Sequence, residues 1–413
     1  MTPPSPTRTA SIMLSWHSLE LVSCTPLQTL WAGYGQICAV TARARTPEAA
    51  AHLAQLCGVA PSPATEGATY PLILKLISPP PGSSSDEGHL RKMLSYEVEQ
   101  RFYATVAPAL GTGVAVAGCV ASTYERDVPE LRGLIATLLV DLRGRYPVAG
   151  GKRSALSGVQ VSAAVRWLAG MHARSWGLVP VGAGREELVR PPLEEVRRVT
   201  PGTGVWLNGG YTYLATRRRE YAALAAETGS EWSCALCGVV EGFGMSVAEM
   251  VAVVLAPCGR AVESYIHGDV KSENLFTNET GDQVAFFDFQ YVGLGLGVCD
   301  LAKLFTCSVP LRMLVGEEDV EEVLGMGDGE RALLEEYRAR LLEGKGSEMY
   351  DWDTFKRHWE TALVDWCRFQ ASWGFWGNTE WLEARVRSIL RDQGWRDWLY
   401  REVGSRNGAF CAQ

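Results

Sequence analysis

Two short stretches of the chain carry the groups that phosphoryl transfer needs. Tyr265-Ile266-His267-Gly268-Asp269-Val270-Lys271-Ser272-Glu273-Asn274 holds an aspartate with an asparagine five residues on. Val284-Ala285-Phe286-Phe287-Asp288-Phe289-Gln290 then sets a second carboxylate directly after an apolar strand. A loop carboxylate can orient an attacking hydroxyl and take its proton, while an amide and another carboxylate hold a divalent cation on nucleotide phosphates. In that scheme Asp269 is the base, and its ordinary pKa of about 4 makes orientation the larger part of its contribution. Asn274 and Asp288 are then ligands of Mg2+, which favours hard oxygen donors and keeps several waters. An unpaired Asp288 beside an apolar strand would be costly to desolvate, and a cation there removes the problem. Lys271 either neutralises charge in the transition state or is a solvated loop lysine. His267 orients the loop.

Other elements must bring these groups together. Lys75 is the lone charge in the apolar strand Tyr70 to Ile77, placed to reach the α- and β-phosphates and to be held by Glu97 or Glu99 on the next helix. That helix opens at Asp86, with Leu90, Leu94, Val98, Phe102 and Val106 recurring every four residues. Upstream, Leu30 to Ala42 is β-rich and broken at Gly33-Tyr34-Gly35, either a turn that covers the phosphates or an ordinary hairpin. Thr46-Pro47-Glu48 starts a helix over Ala49 to Leu56. Loops are expected at 58–67 and 79–85, and Leu134 to Leu142 reads as a strand ended by Gly144 and Pro147. The predicted division is an N-terminal extension (1–29), a nucleotide-binding lobe (30–143) and a helical lobe (144–413).

In the helical lobe, Val161, Val165, Leu168 and His172 share one helix face, with His172 read as core packing. Ser246-Val247-Ala248-Glu249 is a capping-box signature, and the acidic run 317–322 reads as a solvated helix face. The C-terminal helices are rich in tryptophan. There Asp365, Arg368, Trp373 and Trp376 either line an acceptor pocket, whose rings hold a cationic or amphipathic alcohol, or pack helix on helix.

Composition sets the outer bounds. The 413 residues suffice for two lobes, and 47% apolar with 21% charged residues is ordinary for a soluble globular chain. A net charge of −8 and no basic stripe argue against nucleic acid as the partner. Eleven scattered cysteines make no disulfide framework, and the pair Cys234 and Cys237 lacks the second pair of a structural zinc site. Reduced thiols and the absence of a secretory pattern predict a cytoplasmic protein with no membrane partner. The Ser-, Thr- and Arg-containing first residues leave an organellar transit peptide as the alternative.

A β-rich lobe with one strand lysine, a connecting strand and a helical lobe with the loop chemistry is an α+β, protein-kinase-like two-lobe arrangement. From Lys75 onward the motifs resemble the aminoglycoside phosphotransferase and choline kinase family. The signs are His267-Gly268-Asp269 where protein kinases have His-Arg-Asp, Asp288-Phe289-Gln290 in place of Asp-Phe-Gly, and the helix Leu168-Ala169-Gly170-Met171-His172-Ala173. Glu99-Gln100-Arg101-Phe102-Tyr103 resembles that family's Glu-x-x-Phe-Tyr, and Asp300-Leu301-Ala302 its Asp-Leu-Ala. The resemblance implies that Glu99 rather than Glu97 holds Lys75 and that Asp300 hydrogen-bonds the catalytic loop. It also implies ATP as co-substrate, Mg2+, and a small-molecule alcohol as acceptor of the γ-phosphate. A protein serine/threonine kinase is the nearest rival, but only eleven residues separate Asp288 from Asp300 and no Ala-Pro-Glu follows. A nucleotide-binding pseudokinase is the alternative from another class. Sugars, aminoglycosides, choline-like alcohols and steroids all stay open as acceptors.

Overall fold

Alternation along one strand decides which side of the N-terminal sheet does chemistry. In the computed structural model the described residues are 4–58, 66–79, 86–124, 126–316 and 319–410. Most of the loops expected at 58–67 and 79–85, and the start of the acidic run 317–322, lie outside them. Strands β1 (Leu19–Thr29), β2 (Gly35–Ala44), β3 (Thr69–Ile77), β4 (Cys119–Ser122) and β5 (Ile135–Val140) form one antiparallel sheet in the order β1-β2-β3-β5-β4. Successive strand residues point to opposite faces. Leu72, Leu74 and Leu76 of β3 therefore share one face, packed with Cys38 and Val40 of β2 and Ala136 and Leu138 of β5. Helices α1 (Pro6–Ser15) and α2 (Pro47–Leu56) cover that face through Met13, Leu14, Ala50 and Leu53. Lys75, between two of those leucines, points the other way.

The helix α3 (Glu87–Arg101) lies on the Lys75 face, capped by the Asp86 carboxylate on the His89 N–H at 2.8 Å. It runs on into a widened π turn over Phe102–Val106, where the Thr105 hydroxyl donates to the Arg101 carbonyl at 2.6 Å. Phe102 and Tyr103 are buried there.

The extension expected over 1–29 is instead part of the sheet lobe. Leu19–Thr29 is the edge strand paired with β2, and α1 packs beneath it. Pro26 and two register shifts interrupt this strand and its outer half is exposed, so it lacks the apolar alternation that marks a strand in sequence. The hairpin at Gly33-Tyr34-Gly35 thus has Leu19–Thr29, not Leu30 onward, as its first arm.

From residue 150 on the chain is mainly helical, apart from short antiparallel pairs. Ser264–Ile266 pairs with Gly293–Gly295, and Leu275–Thr277 pairs with Val284–Phe286. The capping boxes Ser157/Gln160 and Ser246/Glu249 open the helices Gly158–Ser175 and Val247–Leu255. The tryptophan-rich end forms the helices Trp352–Trp373, Thr379–Arg391 and Gln393–Phe410, with Trp359, Trp381 and Trp395 fully buried between them. Among the described residues, no helix is long and apolar enough to cross a membrane.

Candidate active site

The Lys75 ammonium sits between two carboxylates, Glu99 Oε2 at 2.5 Å and Asp288 Oδ1 at 2.9 Å. Glu97, the other candidate, turns to Arg101 at 3.1 Å. Asp288 adopts φ +65°, a left-handed conformation that aspartate tolerates better than most residues. Gln290 donates to Asp288 and accepts from the Ser95 hydroxyl at 3.1 Å, which ties the aspartate to α3. Burial opposes the Asp288 charge, but Lys75 and Gln290 outweigh it and hold the carboxyl below its ordinary range. Glu99 lies deeper; burial, aided by the Asp288 charge, pushes it up to about 7 against the pull of Lys75. Burial alone would lower Lys75, yet the two carboxylates raise it above its ordinary value.

An aromatic stack links this cluster to the loop that carries Asp269. Phe102, at the end of α3, stacks on Phe289 with ring centroids 4.0 Å apart, and the His267 ring lies 4.7 Å from Phe289. His267 is fully buried, with Nε2 3.0 Å from the Phe287 carbonyl. Burial lowers its pKa, so a neutral ring donates that hydrogen bond and His267 positions the loop rather than titrating in it.

The backbone of the loop is held from below. Asp300 accepts from the N–H groups of His267 (2.7 Å) and Gly268 (2.9 Å), and Lys303 donates to the Gly268 carbonyl at 2.6 Å. Gly268 has φ +84°, and a Cβ there would meet the Tyr291 carbonyl at 2.4 Å, so only glycine admits this turn. His172, expected to be simple packing, bridges Asp300 (3.2 Å) and the Tyr337 hydroxyl (2.7 Å). The family-like helix that bears it thereby fixes the orientation of Asp300.

Asp269 follows this turn. Its carboxylate and its own carbonyl accept both amide hydrogens of Asn274, at 2.9 and 2.8 Å. That leaves the Asn274 oxygen for a cation. The Asn274 carbonyl accepts from Phe287 N–H at 3.0 Å, which sets Asn274 beside the strand end that carries Asp288. An amide oxygen and a carboxylate, carried by paired strand ends, are the hard oxygen donors that Mg2+ takes. Among the described residues no group of three or more His, Cys, Asp or Glu is placed to hold a metal, so phosphates and waters would complete its shell. Lys271 bridges Asp269 at 3.1 Å and Glu273 at 3.3 Å.

Asp269, Lys271 and Glu273 line a cavity of about 220 Å³ walled by Trp366, Trp373 and Trp376. Arg368 takes no part. It is fully buried, bound to Asp365 at 2.7 Å and to the Thr212 carbonyl at 2.6 Å, because it lies on the inward face of the Trp352–Trp373 helix. Asp365 faces a neighbouring cavity beyond Trp366. Of the rings expected to hold a cationic alcohol, Trp373 already faces a cation of the protein: the Arg217 guanidinium lies 5.1 Å from it, 5.3 Å from Tyr211 and 5.6 Å from Phe369. Gly33 (φ +73°) and Gly35 (φ +149°) form the β1–β2 turn, and Gly35 pairs with Ile77, two residues beyond Lys75. Between them Tyr34 is buried against Ile77 and Tyr96 and hydrogen-bonds His89 at 2.8 Å.

Residues 65–342 match the model of the phosphotransferase enzyme family. The chain belongs to that family. Its fold is the family's protein-kinase-like one, a small antiparallel sheet lobe on a larger helical lobe. Solved structures similar to it include a macrolide 2'-phosphotransferase from Brachybacterium faecium, with 15% identity, coverage of 93% of this chain and 98% of that one, and a TM-score of 0.42. Others are a choline kinase from Cryptosporidium parvum (11%, 93% and 94%, 0.39) and an ethanolamine kinase from Plasmodium vivax (10%, 92% and 84%, 0.39). Comparison with curated proteins gives no match. Sequence reasoning missed Gln290 and Lys303 as partners of Asp288 and Gly268. The lone lysine of the apolar helix Val298–Cys307 was the available signal for Lys303.

Proposed function

We propose that the chain transfers the γ-phosphate of ATP to a hydroxyl of a small molecule. The observation that supports this is that Asp269 lines a cavity and is held by Asn274, whose carbonyl accepts from the residue before Asp288, the partner of the Lys75 ammonium. Lys75 would contact the α- and β-phosphates while keeping Glu99, and Asn274 and Asp288 would hold Mg2+. That ion, when bound, would supply positive charge to offset what develops on the phosphates.

Asp269 orients the acceptor hydroxyl and takes its proton as the new O–P bond forms. The bond from the γ-phosphorus to the β-bridging oxygen breaks, and ADP leaves with that electron pair. Asn274 fixes the Asp269 carboxylate through its amide, and Lys271 pairs with it on the cavity side. Asp300, Lys303 and Gly268 hold the backbone so that this carboxylate faces the cavity. The small cavity and the short segment from Asp288 to Asp300 favour a small acceptor over a protein.

The test is ADP release by purified protein with Mg-ATP over a panel of alcohols, with a generic protein substrate in parallel. Acceptor-dependent release with a small alcohol is expected. Release with the protein substrate alone, or none with any acceptor, rejects the proposal.

A further inference from the structure

Trp373 is the last residue of the Trp352–Trp373 helix and one wall of the Asp269 cavity. It is 59% exposed, and among the described residues no other tryptophan is exposed. The ring is nevertheless held. It lies 15° from parallel to the buried Phe369 ring one turn earlier, with centroids 6.2 Å apart. The Arg217 guanidinium sits over it at 5.1 Å, so its exposed area is the opposite face and the rim. The chain beyond it is pinned as well. Gly374 N–H donates to the Gln370 carbonyl at 2.7 Å, and the buried Gln370 amide bridges the Trp376 N–H (3.4 Å) and carbonyl (3.2 Å). An ordered indole gives up rotamer freedom, and left in water it gains little burial in return. Such a ring is a platform prepared for something else to cover.

The surroundings select what lands on it. Arg217 is buried and tied to the Tyr211 carbonyl and Glu220, so its charge stays behind the ring. A ring that already faces one cation repays a second poorly, because both draw on the same quadrupole and repel each other. A neutral planar ring meets no such penalty and stacks on the open face. Beyond the tryptophans the cavity lining is mostly polar, with Arg153, Asp269, Lys271, Ser272, Glu273 and Lys303. That lining suits a hydroxyl and not a hydrocarbon.

We infer that the acceptor is an uncharged alcohol with a flat aromatic body. Its ring stacks on Trp373 and its hydroxyl lies at Asp269, across the cavity that both residues border. The inference rests on the phosphotransferase reading above and adds the class of acceptor.

Two matched pairs of probes test it. One is naphthylmethanol against its fully saturated counterpart; the other is choline against neohexyl alcohol, its uncharged carbon isostere. Titration calorimetry on the full chain with Mg-ADP measures binding, and ADP release from Mg-ATP measures transfer. Naphthylmethanol should bind roughly three- to tenfold tighter than the saturated alcohol, and neohexyl alcohol at least as tightly as choline. Trp373→Leu keeps an apolar side chain without a ring and should erase the first preference, which Trp373→Phe should largely restore. A merely structural role for Trp373 would weaken both members of the pair alike. The position is exposed, and retained Mg-ADP binding marks each variant as folded. Absence of naphthylmethanol binding, equal binding of the first pair, or a preference that Trp373→Leu leaves intact overturns the inference. Tighter binding of choline than of neohexyl alcohol does so too. Each of these leaves phosphotransfer standing wherever another alcohol drives ADP release. The expected preferences without ADP release for any alcohol support the ring platform and reject the phosphotransfer reading.

Discussion

The site uses one arrangement twice: an ammonium between two carboxylates. Lys75 lies between Glu99 and Asp288, and Lys271 between Asp269 and Glu273. The first lysine side chain is 10% exposed and the second 29%. In the buried set each charge feels the others through a poor dielectric, so Glu99 is driven up to about 7 and the geometry is locked by mutual need. In the second set Lys271 and Glu273 are each 29% exposed, so water screens their charges in part, while Asp269 is 13% exposed and also held by Asn274. The first set suits a fixed partner such as a nucleotide phosphate. The second suits a group that must yield as an acceptor enters.

The largest effect should come from Asp269→Asn. It keeps shape and the cavity but removes the proton acceptor, so kcat should fall roughly a hundred- to ten-thousand-fold. Mg-ATP affinity should stay within a few-fold, because the phosphate-facing set is untouched. Single-turnover transfer and nucleotide titration separate the two. A variant with parental kcat would remove Asp269 from the mechanism.

The comparison itself is tested by removing each lysine in turn. Lys75→Met strands the buried Glu99 beside the partly exposed Asp288 and should cost about 3–5 kcal/mol of stability, with loss of nucleotide binding. Lys271→Met leaves Asp269 still held by the Asn274 amide and Glu273 open to solvent, and should cost under about 1 kcal/mol, with a modest drop in kcat. Urea unfolding measures both. Equal losses would show that burial does not distinguish the two sets.

What was legible in the sequence follows the same line between local and distant. Lys75 announces itself as one charge in an apolar strand, and Asp269, Asn274 and Asp288 stand in fixed short spacings, so their neighbourhood could be read from the chain. The family-like spacing separated Glu99 from Glu97, since both lie on one helix and only packing decides which faces β3. His172 was unreadable as a support of the loop and Lys303 offered only its isolation in an apolar helix, because Asp300 and Gly268 meet them only after folding. The strand Leu19–Thr29 was hidden for a different reason: an exposed, proline-interrupted edge has no apolar periodicity to show. The tryptophans carried the least information. Trp359, Trp381 and Trp395 pack the core while Trp373 and Trp376 line the cavity, and nothing in their spacing tells one use from the other.

A subtler test concerns pH. Glu99 titrates at about 7 in the folded chain against an ordinary 4.5, so between those values the folded state binds more protons than the unfolded one. Its contribution to stability is therefore complete below about pH 4.5 and is lost as pH rises through 7. Glu99→Gln removes this titration. The stability of the parent relative to Glu99→Gln should decline across that window in urea unfolding at successive pH values. A difference that is flat with pH would mean that Glu99 stays ionised throughout, and the buried set would then behave like the open one.

The smallest expected effect lies at the rim of the open set. Trp373 is 59% exposed and covers one side of the Arg217 guanidinium, which is itself 3% exposed and held by the Tyr211 carbonyl at 2.8 Å and Glu220 at 3.1 Å. Trp373→Ala removes one ring of three around that cation, a contact worth about 0.5–1 kcal/mol at such a site. The KM for the acceptor should rise a few-fold with kcat nearly unchanged, because the ring binds substrate and transition state alike. If kcat fell instead, Trp373 would be positioning the reacting hydroxyl, and the open set would share the rigidity of the buried one.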